Sequence, residues 1–109
     1  MLKDTHVEFA GYKCHAAVNK FVGGALAIQL YDIEDNSPVA RATFNPEEPV
    51  PKGHVAVKVW SENEGMDKAL IDAGIIEENP VTYVRLPYGN KAPIHKLTDE
   101  VIQLMKENY

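Results

Sequence analysis

The chain has 109 residues, 45% hydrophobic and 25% charged, with 16 acidic against 11 basic side chains and a net charge of −5. That length and balance fit a single domain over residues 1–109 with its own core, and they exclude a disordered or low-complexity chain. The cations (Lys13, Lys20, Arg41, Lys58, Lys68, Arg85 and Lys96 among them) are scattered. They form no basic track, which argues against nucleic-acid binding, because counterion release needs clustered positive charge.

A lone cysteine, Cys14, cannot close an internal disulfide and points to a reducing, cytoplasmic setting. The opening MLKDTHVEF lacks the apolar stretch of a signal peptide, and no apolar run reaches the length of a membrane span.

In chain order, THVEF (5–9) and YKCHAAV (12–18) alternate in polarity around Ala10-Gly11 and predict a hairpin. A Gly11-Tyr12 loop suits a type II′ turn and sets Glu8 opposite His15. An Ala10-Gly11 loop instead pairs Glu8 with Lys13 and His6 with His15. Either register leaves Val7, Phe9 and Cys14 on one face and His6, Glu8 and His15 on the other.

ALAIQLYDI (25–33) and VARATF (39–44) flank the turn signal Glu34-Asp35-Asn36-Ser37-Pro38 and predict a second hairpin, with Leu26, Ile28 and Leu30 on one face. Gly23-Gly24 precedes a strand and reads as a turn or bulge, not a phosphate loop. NPEEPVPKG (45–53) is a loop, and HVAVKVW (54–60) alternates with Val55, Val57 and Val59 inward.

A helix is predicted over about 62–73. Ser61 and Glu64 have capping-box spacing, Met66, Ala69, Leu70 and Ala73 form an apolar stripe, and Gly74-Ile75 suits a Schellman stop. VTYVRL (81–86) and PIHKL (93–97) predict strands around the turn PYGN (87–90). A terminal helix over about 99–108 starts at Thr98, with Leu97 and Ile102 as a hydrophobic staple and Val101, Leu104 and Met105 as its buried stripe. The order β-β-β-β-β-α-β-β-α predicts an α+β fold: a mainly antiparallel sheet of about 5–7 strands with both helices on one face.

The densest chemistry lies in WSENEGMD (60–67). Carboxylates in a first helical turn are what a helix dipole favours, each contributing about 0.3–1 kcal/mol. Glu62 and Glu64 point roughly 200° apart on a helix and do not share a ligand easily, whereas Asn63 and Asp67 share one face, as do Glu64 and Asp67. Gly65 is the residue that helix punctuation leaves unexplained, since glycine inside a first turn costs roughly 0.5–1 kcal/mol. Close approach of a strand, of the Trp60 ring or of a ligand is the expected reason. The four histidines make no zinc signature. Cys14 and His15, as strand neighbours, face opposite ways and form no dyad. Tyr88-Gly89-Asn90 reads as an exposed tip.

Three phrases in order, ALAIQLYDIEDNSPVARATFN, HVAVKVWSENEGMDKALIDAGII and YVRLPYGNKAPIHKL, resemble a family of small uncharacterised bacterial proteins carried on plasmids, conjugative elements and phages. The SENEG…AGI core is the most specific part, and the likeness covers roughly residues 23–97. The resemblance implies a small cytosolic accessory protein of a mobile element and carries over no functional residue.

The leading reading is a non-catalytic module that binds another protein, with Trp60, Tyr83 and Tyr88 as candidate anchors. A second reading is a small enzyme or ligand-binding protein with a pocket at Gly65 lined by Asn63, Glu64, Asp67 and a histidine. A third is an acidic DNA mimic, which requires the acids to converge on one face. No metal, cofactor or membrane is expected, and a homodimer through a helix or an edge strand is compatible with the pattern.

Overall fold

The computed structural model describes residues 6–20 and 26–108; the Gly23-Gly24 turn lies outside them. Seven strands and two α-helices occupy the described residues. The strands are β1 (Val7–Phe9), β2 (Tyr12–Lys20), β3 (Leu26–Asp32), β4 (Pro38–Arg41), β5 (His54–Ala56), β6 (Thr82–Arg85) and β7 (Lys91–Lys96). The helices are α1 (Met66–Asp72) and α2 (Asp99–Asn108), and 3-10 turns cover Ser61–Asn63 and Pro87–Gly89. The fold is α+β with antiparallel pairing, as the element order predicts. The strands divide, however, into a four-stranded sheet ordered β1-β2-β3-β4 and a three-stranded sheet ordered β5-β7-β6.

The first hairpin takes the Ala10-Gly11 loop. Val7 lies opposite Cys14, Glu8 opposite Lys13 and Phe9 opposite Tyr12. Both loop residues have positive φ, 54° and 84°, the signature of a type I′ turn, whose twist matches that of the strands. The faces are those the alternation predicts, with Val7, Phe9 and Cys14 buried. In β3, Ile28 and Leu30 are buried and Leu26 packs partly against the same core. A bulge between Leu30 and Tyr31 sets Tyr31 opposite Pro38. The β3–β4 turn is held by Asp32 and Asp35, whose carboxylates accept from the N–H groups of Glu34 and Ser37.

Pro93 explains why there are two sheets. It occupies the central strand β7, where proline is rare because it cannot donate to the ladder. Ala56 lies opposite Ile94, so Val57 comes next, opposite Pro93. The Val57 N–H donates to the Pro93 carbonyl at 3.0 Å, and the reciprocal bond cannot form. The ladder ends there, so β5 stops at Ala56, short of the predicted Trp60. Val57 instead forms a bridge with Thr43, flanked by bonds from Phe44 N–H to Ala56 O and from Lys58 N–H to Ala42 O. This bridge joins the two sheets.

The small sheet is covered on both faces along β5 and the adjoining part of β7. Val55, Val57 and Leu97 belong to the main core, together with Met66 and Leu70 of α1, Ala73 just after it, Val101 of α2, and the inner faces of β1, β2 and β3. Ile102 and Met105 of α2 pack against that core, while Leu104 is half-buried. The opposite face carries a second cluster of Ala56, Val84, Ala92 and Ile94, roofed by Phe44, Val50, Trp60 and Leu86. Val55 and Val57 therefore face the main core as the alternation predicts, with Val59 partly packed against it, while Ala56 between them is buried in the second cluster instead of facing solvent.

The predicted helix over 62–73 is also divided. Ser61 has φ 57°, a left-handed value, rather than the extended conformation of an N-cap, so no capping box forms. A 3-10 turn over Ser61–Asn63 is followed by Glu64 (φ −53°, ψ 129°) and Gly65 (φ 89°, ψ 1°). These are the two central angles of a type II turn, which demands positive φ at its second position. α1 begins only at Met66. Its end is the predicted Schellman stop: Gly74 N–H donates to Ile71 O at 2.9 Å and Ile75 N–H to Leu70 O at 3.0 Å. α2 begins as predicted, with Val101 N–H donating to Thr98 Oγ1 at 3.5 Å.

Candidate functional site

The residues singled out in WSENEGMD do not line one cavity. Asn63 is 2% exposed, and its Nδ2 donates to the Arg41 carbonyl at 2.7 Å, tying the turn to the end of β4. Trp60 turns the other way, into the roof of the second cluster, where it meets Phe44 edge-on with centroids 5.0 Å apart at 80°. Lys58 Nζ lies 5.8 Å from the Trp60 ring centroid and 3.5 Å from Glu62. Gly65 owes its identity to its backbone. A Cβ built there meets nothing within 4 Å, so neither a strand nor the Trp60 ring approaches closely, and the left-handed φ is sufficient reason for glycine.

A shallow groove of about 290 Å³ does lie beside Gly65, lined by residues that include Glu8, Phe9, Glu62, Glu64, Lys68 and Asp72. Asn63, Asp67 and the histidines are not in its lining. Three of its charged groups, Glu62, Lys68 and Asp72, are engaged in ion pairs. The carboxyl of Glu62 is held below the usual range, first by a hydrogen bond from its own backbone and then by Lys58. The Lys68 ammonium is held above its usual value by its 2.9 Å contact with Asp72.

Three of the four histidines are separately engaged. His15 Nε2 lies 2.7 Å from Asn36 Oδ1, and its ring stacks on Tyr31 at 5.5 Å, while its Nδ1 is buried with no partner. His54 and His95 each direct Nδ1 at a carbonyl, of Lys52 (2.9 Å) and Glu77 (2.8 Å). A carbonyl only accepts, so those nitrogens donate. Cys14 is fully buried on the face opposite His15. Burial, and then the nearby Asp32 charge, push its thiol above the ordinary value, the reverse of what a nucleophile needs. Among the described residues, no group of three or more His, Cys, Asp or Glu converges to hold a metal.

A surface of another kind appears on β6, an edge of the small sheet. Tyr83 is 55% exposed, and Val81, just before the strand, is equally so. Arg85 shares the face of Tyr83, two residues on, with Lys91 opposite it on β7. Tyr83 was legible as a candidate; Val81, Arg85 and Lys91 were not singled out. The signal was present in VTYVRL, where large apolar residues fall on both parities of one short strand, Val81 and Tyr83 on one and Val84 and Leu86 on the other. Only Val84 and Leu86 go inward, to the second cluster. Tyr88 sits in the adjoining 3-10 turn Pro87–Gly89, and its side chain lies outside the described part. Tyr12 and Ile33, 51% and 40% exposed, flank a second shallow cleft at the far end of the large sheet.

No helix among the described residues is long and apolar enough to cross a membrane. Compared with protein-family models, with curated proteins and with solved structures, the chain has no match.

Proposed function

We propose that this chain is a non-catalytic accessory module, cytoplasmic, that acts by binding another protein through the outer face of β6. The observation that carries this reading is the pair Val81 and Tyr83, each 55% exposed at an edge strand of which Val84 alone is buried in a core. Large apolar side chains beside a free strand edge are a liability unless something covers them, and tyrosine is among the residues that most often anchor an interface. The likeness of the three sequence phrases to small mobile-element proteins suits the same role. The charge pattern, net negative with dispersed cations, suits a protein partner better than a nucleic acid.

Affinity capture from the native host, run in parallel with wild-type and Tyr83→Ala baits, tests the proposal. A partner held through this face is retained by the wild type and reduced about tenfold or more by the variant, the loss expected for an interface anchor. Equal recovery on both baits, with Tyr83→Ala still folded, removes β6 as the contact surface.

A further inference from the structure

The hydrogen-bond parity of the small sheet shows what β6 offers beyond an apolar patch. Leu86 N–H donates to Asn90 O at 2.7 Å. Hydrogen-bonded pairs alternate along an antiparallel ladder, so Val84 and Ala92, two steps on, form the next such pair. Tyr83 and Arg85 therefore direct their N–H and C=O groups away from β7, toward the open edge. Pro93, opposite Tyr83, agrees with this parity, because its carbonyl points to Val57 on the β5 side. No described residue hydrogen-bonds the outward groups of Tyr83 or Arg85. At the same end, Arg85 and Lys91 sit directly opposite each other on one face, and neither makes an ion pair with a described residue. Like charges placed opposite each other across a ladder are destabilising.

We infer that β6 accepts an extended segment of a partner protein as an additional antiparallel strand, with a carboxylate of that segment set opposite Arg85. The inference rests on the binding role proposed above and names its partner. Strand addition satisfies the free backbone groups of Tyr83 and Arg85, and alternate side chains of the added strand provide specificity. Opposite Arg85, a glutamate or aspartate neutralises the Arg85–Lys91 pair. Two positions later, opposite Tyr83, the incoming side chain is apolar or aromatic, and its neighbour beyond reaches Val81. The ligand thus reads acid-x-apolar from N- to C-terminus.

A displayed library of random dodecapeptides, selected on the full chain, is the probe. Enriched peptides should share an acidic residue two positions before an apolar one. A synthetic copy should slow exchange of the Tyr83 and Arg85 amides at least about tenfold, the mark of new backbone hydrogen bonds. Arg85→Glu, an exposed substitution whose folding is checked by its thermal midpoint, should weaken the peptide about tenfold or more. Selection that enriches nothing, or peptides indifferent to Arg85→Glu, overturns the inference, as does binding that leaves both amides unprotected. Sedimentation showing a dimer closed through β6 overturns it in favour of a second copy. Partner capture that still depends on Tyr83 while the peptides ignore Arg85 leaves the binding role standing and removes only strand addition.

Discussion

Ala10, Asn36 and Ser61 are the non-glycine residues with positive φ among those described, at 54°, 60° and 57°. For most side chains that conformation costs roughly 1–2 kcal/mol, because Cβ crowds the following carbonyl. Asparagine tolerates it, so Asn36 is well chosen, and alanine and serine are not. Ala10 opens a type I′ turn, for which Asn-Gly is the favoured pair. Ala10→Asn is therefore expected to raise stability by about 0.5–1 kcal/mol. Gly65 is the opposite case. Space for a Cβ is open there, so Gly65→Ala should lower stability by about 1–2 kcal/mol through φ alone, and Gly65→Asn should restore part of the loss. Urea unfolding reads both: the midpoints move in opposite directions while the slope stays constant. A neutral Gly65→Ala would show that something other than the left-handed backbone selects glycine.

α1 shows which parts of an element can be read from its own residues. Its end was legible because a Schellman stop is local: Leu70, Ile71, Gly74 and Ile75 contain the whole motif within six residues. The α2 start was legible for the same reason, in Thr98 and Val101. The α1 start was not, because a distant residue decides it. Asn63 is drawn 2.7 Å from the Arg41 carbonyl, 22 positions away. That bond holds Ser61–Asn63 as a separate 3-10 turn and leaves Glu64-Gly65 to reverse direction before the helix. Capping-box spacing at Ser61 and Glu64 could not reveal it. If this anchor sets the geometry, Asn63→Ala should lower stability by about 1–3 kcal/mol, the range for unpairing a buried polar group. A loss of no more than about 0.5 kcal/mol, the size of a surface substitution, would show that the Asn63–Arg41 bond does not hold the turn. A thermal midpoint for the single variant separates the two.

At the scale of the molecule, the open question is whether two sheets make one cooperative unit. The sequence pattern predicted a mainly antiparallel sheet of about 5–7 strands with two helices, and seven strands and two helices are present, in two sheets. It could not show that Pro93 on β7 would stop β5, because the proline and the strand it ends are more than thirty residues apart. Division at that point makes the Thr43–Val57 bridge the joint between sheets. Thr43 is fully buried, and its Oγ1 accepts the Ile28 N–H at 2.9 Å, substituting for a backbone carbonyl that the β3 ladder lacks there. Thr43→Val keeps the shape and deletes the acceptor, so a buried N–H is left unpaired at a cost of about 1–3 kcal/mol. The effect on cooperativity is more informative than the size of the loss. Trp60, in the roof of the small sheet, reports that sheet by fluorescence, while far-UV dichroism reports both sheets and the helices. Because Val55 of the small sheet, with Val57 and Leu97 just beyond the ends of β5 and β7, lies in the main core, the two signals should give coincident transitions in the wild type. Thr43→Val should move them down together, since the shared core still binds the sheets to each other. If fluorescence instead runs ahead of dichroism in the variant, the bridge rather than the core couples the sheets, and the β6 edge belongs to a unit that can open independently.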